Sequence, residues 1–197
     1  MNNSKVIGID LDDTITNIQS EMRKYAIIFD MENNGHGIID SSKYLVGEMY
    51  GWNRELLDKF FLTYRSKIVQ EAKVRKHVIM NIKKWQKIGY KIIIITARNK
   101  KYYDRPFDET YHWLKKHHVP FDDLIVDASD KKEVCIKMNV NYFIDDMPGT
   151  CNLVSELPNV KVFIMENGNN YCDNKMVTRI TSFDEINDFL VPGNIYD

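Results

Sequence analysis

Three carboxylates crowd a four-residue stretch, Asp10, Asp12 and Asp13, directly after the apolar run Val6-Ile7-Gly8-Ile9, with Thr14 behind them. Acids this close repel one another in a dry site, so the arrangement makes sense if a cation sits between two of them. Mg²⁺ is the expected cation, because it prefers carboxylates and keeps waters that phosphate oxygens can replace. Asp10 and Asp12, two apart, point the same way if a strand pleat or the loop beyond it holds them on one side, and Asp13 then points elsewhere. A second pair, Asp145-Asp146, follows Tyr142-Phe143-Ile144. Adjacent carboxylates at the end of a buried strand are costly without a counter-ion, which favours a metal over a solvated turn. The competing account of the first stretch is a strand running into an acidic turn, since Asp and Thr are ordinary turn residues.

These side chains need elements to hold them. The Val6–Ile9 run is too short for a helix and reads as a buried strand delivering its acids to the C-terminal edge. Ile18, Met22, Tyr25, Ala26 and Phe29 then fall at helical spacing, Asn33-Asn34-Gly35-His36-Gly37 is a loop, and Leu56, Leu57, Phe60, Phe61 and Tyr64 mark another amphipathic helix. No convincing strand lies between Thr16 and Lys76. A helix through Val78, Ile79, Ile82 and Trp85 ends at Gly89, which can take a left-handed cap. Lys91 to Ile95 is so continuously apolar and β-branched that both its faces must be covered. The same grammar repeats: helix Phe107 to His117, strand Leu124 to Val126, helix Lys131 to Met138, strand Tyr142 to Ile144, a turn at Met147-Pro148-Gly149, a helix near Thr150 to Glu156, strand Val160 to Met165 and a closing helix near Phe183 to Leu190. Alternating strands and helices predict an α/β fold, a doubly wound parallel sheet with a Rossmann-like core and a ligand crevice outside the carboxyl ends of the strands. The predicted division is a core of residues 1–15 and 77–197 with a small helical cap, 16–76, inserted after the first strand.

The 197 residues suit one domain with an insertion, and 44% hydrophobic with 28% charged residues is ordinary for a globular chain. A net charge of -1 gives no global field for nucleic acid or anionic membranes. Cys135, Cys151 and Cys172 are odd in number and show no metal-type spacing, so reduced thiols are expected. With no signal segment and no apolar run near spanning length, a cytoplasmic location and no membrane contact are expected. Asn2-Asn3-Ser4 fits a glycosylation sequon, which means little without secretion. No Walker loop or dinucleotide fingerprint is present.

The Asp10-x-Asp12-x-Thr14 pattern after an apolar strand resembles the first motif of the haloacid dehalogenase superfamily. Three further motifs of that superfamily find counterparts in order: Thr96 in Ile95-Thr96-Ala97-Arg98, Lys131 in Ser129-Asp130-Lys131-Lys132, and the Asp145-Asp146 pair. Read without the resemblance, Thr96 is equally an N-cap and Lys131 a surface lysine. Lys132 is the near rival of Lys131. The closer resemblance is to the nucleotidase branch, the 5'(3')-deoxyribonucleotidases and related bacterial nucleotidases, and it rests on these motifs and on a helical insertion between the first and second.

That resemblance implies an Mg²⁺-dependent phosphomonoester hydrolase working through an aspartyl-phosphate, with Asp10 as nucleophile and Asp12 as general acid and base, starting protonated. Asp10, Asp12 through its main-chain oxygen, Asp145 and Asp146 would hold the metal, and Thr96, Ala97, Arg98 and Lys131 the phosphoryl group. The implied partner is a small phosphate ester, a nucleoside monophosphate first; the alternatives are a sugar-phosphate or nucleic-acid-end phosphatase, or a non-catalytic binding module. No nucleic-acid partner is expected, and a homodimer is the assembly to test. Arg98 and Arg105 lie near a strand end and could bind phosphate. Among the cap aromatics Tyr44, Tyr50, Trp52, Phe60, Phe61 and Tyr64, Phe60 and Phe61 are the first assigned to packing, and one facing the cleft could stack on a base. His36, His77, His112, His117 and His118 form no motif, and Lys83, Lys84, Lys87 and Lys91 read as a solvated helix face.

Overall fold

The computed structural model describes residues 5–190, so the Asn2-Asn3-Ser4 sequon lies outside the described residues. Six parallel strands form one sheet: β1 (Val6–Ile9), β2 (Lys91–Ile95), β3 (Asp123–Ile125), β4 (Val140–Asp145), β5 (Lys161–Met165) and β6 (Val177–Ile180), in the spatial order β3-β2-β1-β4-β5-β6. The chain moves outward from β1 on one side, then returns to place β4 on the other. β1 therefore flanks the point where strand order reverses, and a crevice opens there at the carboxyl ends.

The Lys91–Ile95 run behaves as its composition requires. Ile92 and Ile94 join the apolar cluster containing Trp85 and Trp113, while Ile93 and Ile95 join the cluster containing Cys135, Phe143 and Val154 on the opposite face. Period-two alternation thus feeds two cores, one under α4 (Val78–Lys87) and α5 (Pro106–Lys116), the other under α6 (Lys131–Lys137) and α7 (Pro148–Ser155). Gly8 is glycine for a steric reason: a Cβ there would come within 2.9 Å of Ile95 Cδ1 and 3.3 Å of Phe143 Cδ2. Gly89 ends α4 with φ +96°, as its place in the sequence predicts.

Between β1 and α4 lie α1 (Ile18–Glu32), a single helical turn α2 (Val46–Met49) and α3 (Arg54–Glu71). Asn53 caps α3 by accepting from Leu56 N–H at 2.9 Å. Phe29, Phe60 and Tyr64 bind α1 to α3, and this aromatic core runs without a break into the one beneath α4 and α5. The two connections to the helical insertion lie side by side: Thr16 bridges Val74 in antiparallel sense, Asn17 N–H donates to Lys73 O and Arg75 N–H to Ile15 O, both 2.9 Å.

Some elements differ from their sequence patterns. Met147-Pro148-Gly149 does not make a free turn; Pro148 opens α7, where its missing N–H costs nothing. The closing helix is a 3₁₀ turn, Phe183–Ile186, running into α8 (Asn187–Leu190). The edge strand β6 has no sequence counterpart, because Thr178 and Arg179 in its middle are half-exposed and break the apolar run. Lys83, Lys84 and Lys87 do form a solvated face. All three cysteines are buried free thiols. Among the described residues no helix is long and apolar enough to cross a membrane.

Candidate active site

Sheet register brings the first and last acidic motifs together. Ile9 pairs with Ile144, so Asp10 and Asp145, the next residue on each chain, emerge side by side, and Asp10 N–H donates to Ile144 O at 2.9 Å. Asp145 is the last residue of β4 and is fully buried; Asp146 follows it and is buried too. Lys131, the first residue of α6, reaches between the strands. Its Nζ donates to Asp10 Oδ1 at 2.5 Å and to Asp145 Oδ2 at 2.7 Å. Lys132, one position on, turns outward to Glu156. Asp130 caps α6 by accepting from Glu133 N–H at 2.9 Å, which fixes the helix start and so the direction in which Lys131 leaves it.

One carboxylate oxygen from each of Asp10, Asp145 and Asp146 lies within 4.8 Å of the others. Opposed oxygens around Mg²⁺ are about 4.2 Å apart, twice the ~2.1 Å bond, so the cluster is close to the size of a hexacoordinate hard-cation site. Burial pushes Asp10 up to about 7, against the pull of Lys131, and burial with Asp145 beside it raises Asp146 well above the carboxylate range. Lys131 contacts two of these three buried carboxylates, while Asp146 accepts from the Tyr44 hydroxyl. The donor set is all oxygen and short of positive charge, which fits a divalent cation. The Asp12 carboxylate is not part of this cluster.

Asp12 faces two guanidiniums instead. Arg98 donates through Nε to Oδ2 at 3.0 Å and through Nη2 to Oδ1 at 2.6 Å, and Arg65 of α3 adds a 3.3 Å contact from Nη2 to Oδ2. Burial alone would raise this carboxyl; Arg98, with Arg65 and Lys131 behind it, outweighs burial and holds it below its ordinary value. The protonated starting state required of Asp12 is thus not the state this geometry favours. Arg98 is buried in that fork and is not free for a phosphate, whereas Arg105 is exposed and pairs with Asp108.

Thr96 closes β2 and is buried, and its hydroxyl oxygen lies 3.4 Å from Arg98 N–H. No helix starts there, because the next one begins at Pro106, so the N-cap reading falls. Ala97 is exposed beside it on the cavity wall. Asp13 sits at φ +64°, a left-handed conformation that Asp tolerates better than most residues. Its carboxylate accepts from Tyr44 OH at 2.6 Å, Gln19 N–H at 3.2 Å and Arg75 Nη2 at 3.3 Å, so it is occupied away from Lys131. Thr14 hydroxyl lies 3.3 Å from Asp146 Oδ1.

Several site residues have roles the sequence did not indicate, among them Tyr44, which counts with the cap aromatics but serves the acids through its hydroxyl. Tyr44 spans the insertion and the core, its hydroxyl 2.6 Å from Asp13 and 2.5 Å from Asp146. Asn167, after β5, donates to Asp13 O at 2.8 Å, and Asn170 to Asp146 O at 2.7 Å, fixing the loops that carry both acids. Arg65 could have been found, since it lies four residues after Phe61 on α3 and shares its face. Above these groups is a cavity of about 640 Å³ lined by Asp10, Asp12, Thr96, Arg98, Lys131 and Asp146 below and by Met22, Val46, Trp52, Leu57, Phe61 and Arg65 of the insertion above. Phe61 therefore faces the cleft and is not simply core, unlike Phe60, which is fully buried.

A six-stranded parallel sheet with acidic residues, a threonine and a lysine at its carboxyl edge and a helical insertion after the first strand is similar in fold to solved haloacid dehalogenase-like hydrolases. No family model matches the chain, and no curated protein matches it. Solved structures do. A haloacid dehalogenase-like hydrolase from Streptococcus pneumoniae superposes with TM-score 0.66 at 14% identity, over 97% of this chain and 100% of that one. A predicted phosphatase from Clostridium acetobutylicum gives 0.64 at 14%, over 94% and 97%. A predicted phosphoglycolate phosphatase from Haemophilus somnus gives 0.62 at 14%, over 96% and 99%.

Proposed function

We propose that this protein is a phosphomonoester hydrolase that transfers the phosphoryl group to Asp10 and then to water. The observation that carries it is the Asp10–Lys131–Asp145 arrangement, a carboxylate held by an ammonium at the carboxyl edge of the sheet, at the floor of a cavity large enough for a small ester. Asp10 attacks phosphorus and the bond to the leaving oxygen breaks. Lys131 and Thr96 bind the phosphoryl oxygens, where positioned charge supplies most of the rate enhancement. Asp12 gives a proton to the leaving oxygen and takes one from the water that hydrolyses the aspartyl-phosphate. In the state described here Asp12 is set for the second task; the first needs it freed from Arg98 and protonated.

Asp10, Asp145 and Asp146, with the main-chain oxygen of Asp12, are the residues to hold Mg²⁺. Bound there, Mg²⁺ would neutralise the charge of the carboxylates and of the phosphoryl group. The helical segment 16–76 serves as the cap that excludes water and reads the leaving group.

For the substrate, a small sugar-phosphate or phospho-acid is favoured over a nucleoside monophosphate. The likeness to a phosphoglycolate phosphatase supports it. One observation speaks for a nucleotide, the presence of Trp52, Phe61 and Tyr102 on the cavity wall, since aromatic faces stack on bases. A panel of sugar phosphates, phospho-acids and nucleoside monophosphates, with and without Mg²⁺, tests both. Release of phosphate from none of them would sink the hydrolase reading, and a higher kcat/KM for nucleotides would restore the nucleotidase.

A further inference from the structure

The Tyr44 hydroxyl stands between two buried carboxylates from distant parts of the chain, 2.6 Å from Asp13 Oδ2 and 2.5 Å from Asp146 Oδ2. Tyr44 belongs to the insertion and both acids to the core. A phenol carries a single proton, so it donates to only one of the two carboxylates at a time. Asn167 Nδ2, 3.4 Å away, donates to the same hydroxyl oxygen and does nothing for the second carboxylate.

Neighbouring contacts seat the same stretch of chain. Asn169 Nδ2 donates to Ser41 O at 2.9 Å, so residues 41–44 rest on the loop after β5, whose Asn170 holds Asp146 O. Asp13 ties this seat to the connections of the insertion. Its carboxylate also accepts from Arg75, and Arg75 Nε donates to Thr16 O at 3.1 Å, where the two connections run side by side. Asp13 holds a left-handed backbone that glycine adopts more freely, so its side chain and not its backbone accounts for an acid at this position.

Asp146 is part of the cluster assigned to Mg²⁺, and Asp13 is not. Without a cation, two acids contend for one phenol proton. A cation on Asp146 takes up the charge of that carboxylate and leaves the Tyr44 proton to Asp13 alone, as a charge-assisted O–H···O⁻ bond. The phenol oxygen, with the Thr14 hydroxyl at 3.3 Å on the other carboxylate oxygen, still limits where Asp146 can swing.

Resting on the cation site proposed above, we propose that Tyr44 is a positioning residue that links the cation to the insertion: its hydroxyl holds Asp146 toward the cluster and, with the cation bound, fastens the insertion to Asp13. Cation binding and seating of the insertion then strengthen each other by the same factor.

Tyr44→Phe keeps the ring and removes the hydroxyl. Titration calorimetry should show Mg²⁺ bound about tenfold more weakly by Tyr44→Phe than by the wild type, the scale of loss when a residue behind a metal ligand is removed. A hydroxyl with a structural role alone would lower Tm and leave the Mg²⁺ affinity where it was. Hydrogen exchange reads the other end of the linkage: amides in residues 36–50 of the wild type should exchange about tenfold more slowly with saturating Mg²⁺ than with EDTA. Tyr44→Phe should lose most of that protection. Asp13→Asn keeps an acceptor and tolerates the left-handed backbone, and it should lose the protection too, because no second charge is left for the phenol proton to serve. An Mg²⁺ affinity unchanged by Tyr44→Phe, or the same Mg²⁺ protection of residues 36–50 in wild type and variants, overturns the proposal. Should Tyr44→Phe fail to fold, exchange on Asp13→Asn decides. Neither measurement needs turnover. Phosphate release from no ester would sink the hydrolase reading and leave the linkage standing, whereas an active hydrolase whose Tyr44→Phe variant binds Mg²⁺ unchanged would overturn the linkage alone.

Discussion

Asp12 and Arg98 form a two-point fork that joins the loop after β1 to the loop after β2, with Nη2–Oδ1 at 2.6 Å and Nε–Oδ2 at 3.0 Å. The arginine side chain is fully enclosed and the carboxylate about one-fifth exposed, 0% and 21%. Breaking a buried pair by removing one partner leaves an uncompensated charge, so Arg98→Met should cost about 3 kcal/mol. Its pH signature has a definite sign. The folded-state pKa of Asp12 lies below its unfolded value, so its contribution is present above about pH 4 and is lost as pH falls through the lower folded value. Urea melts at pH 7 and pH 3 should show the Arg98→Met deficit shrinking at the lower pH; an equal deficit at both would deny the ion pair its role.

The acidic cluster predicts the opposite slope. Asp10 and Asp146 are raised on folding, chiefly by burial, so the fold favours their protonated forms. That contribution is complete below about pH 4 and is lost as pH rises through the folded value, about 7 for Asp10. Metal-free protein should therefore lose this part of its stability between pH 4 and about 7, and Mg²⁺ should stabilise it increasingly over the same interval. Melting temperatures across that range, with EDTA and with Mg²⁺, measure it. A Mg²⁺ effect independent of pH would place the metal elsewhere.

Asp145→Ala removes one anionic oxygen from the cluster and leaves Lys131 with Asp10 alone. The Mg²⁺ concentration for half-maximal activity should rise by about tenfold or more, since divalent affinity follows the count of charged ligands. An unchanged metal requirement would pass the ligand role to Asp146.

Asp10→Asn should abolish phosphate release while preserving the fold, because the exchange is nearly isosteric and takes away the nucleophile. Phosphate release near the wild-type rate would remove Asp10 from that role. Asp12→Asn should spare an activated aryl phosphate more than an alkyl ester, since a good leaving group needs little proton assistance. Equal losses with both esters would take the acid role from Asp12.

Five of the six strands and the acid-bearing strand ends were legible in the chain because they are local patterns, whereas β6, with its half-exposed middle, was not. The continuous β-branched run Lys91–Ile95 could only be a doubly covered strand, and apolar runs stopping at Asp10 and ending at Asp145 announced where the carboxylates emerge. Periodicity says which way a residue faces on its own element, and little more. Lys131 and Lys132 are adjacent on α6, as Phe60 and Phe61 are on α3, and consecutive helical positions lie about 100° apart, so the packing of the whole helix decided which member meets the site. Tyr44 joins Asp146 across 102 positions and Arg98 joins Asp12 across 86. Such pairs follow from register and crossover, which the sum of many distant contacts determines, and they set the charge of Asp12, which residue type alone leaves open.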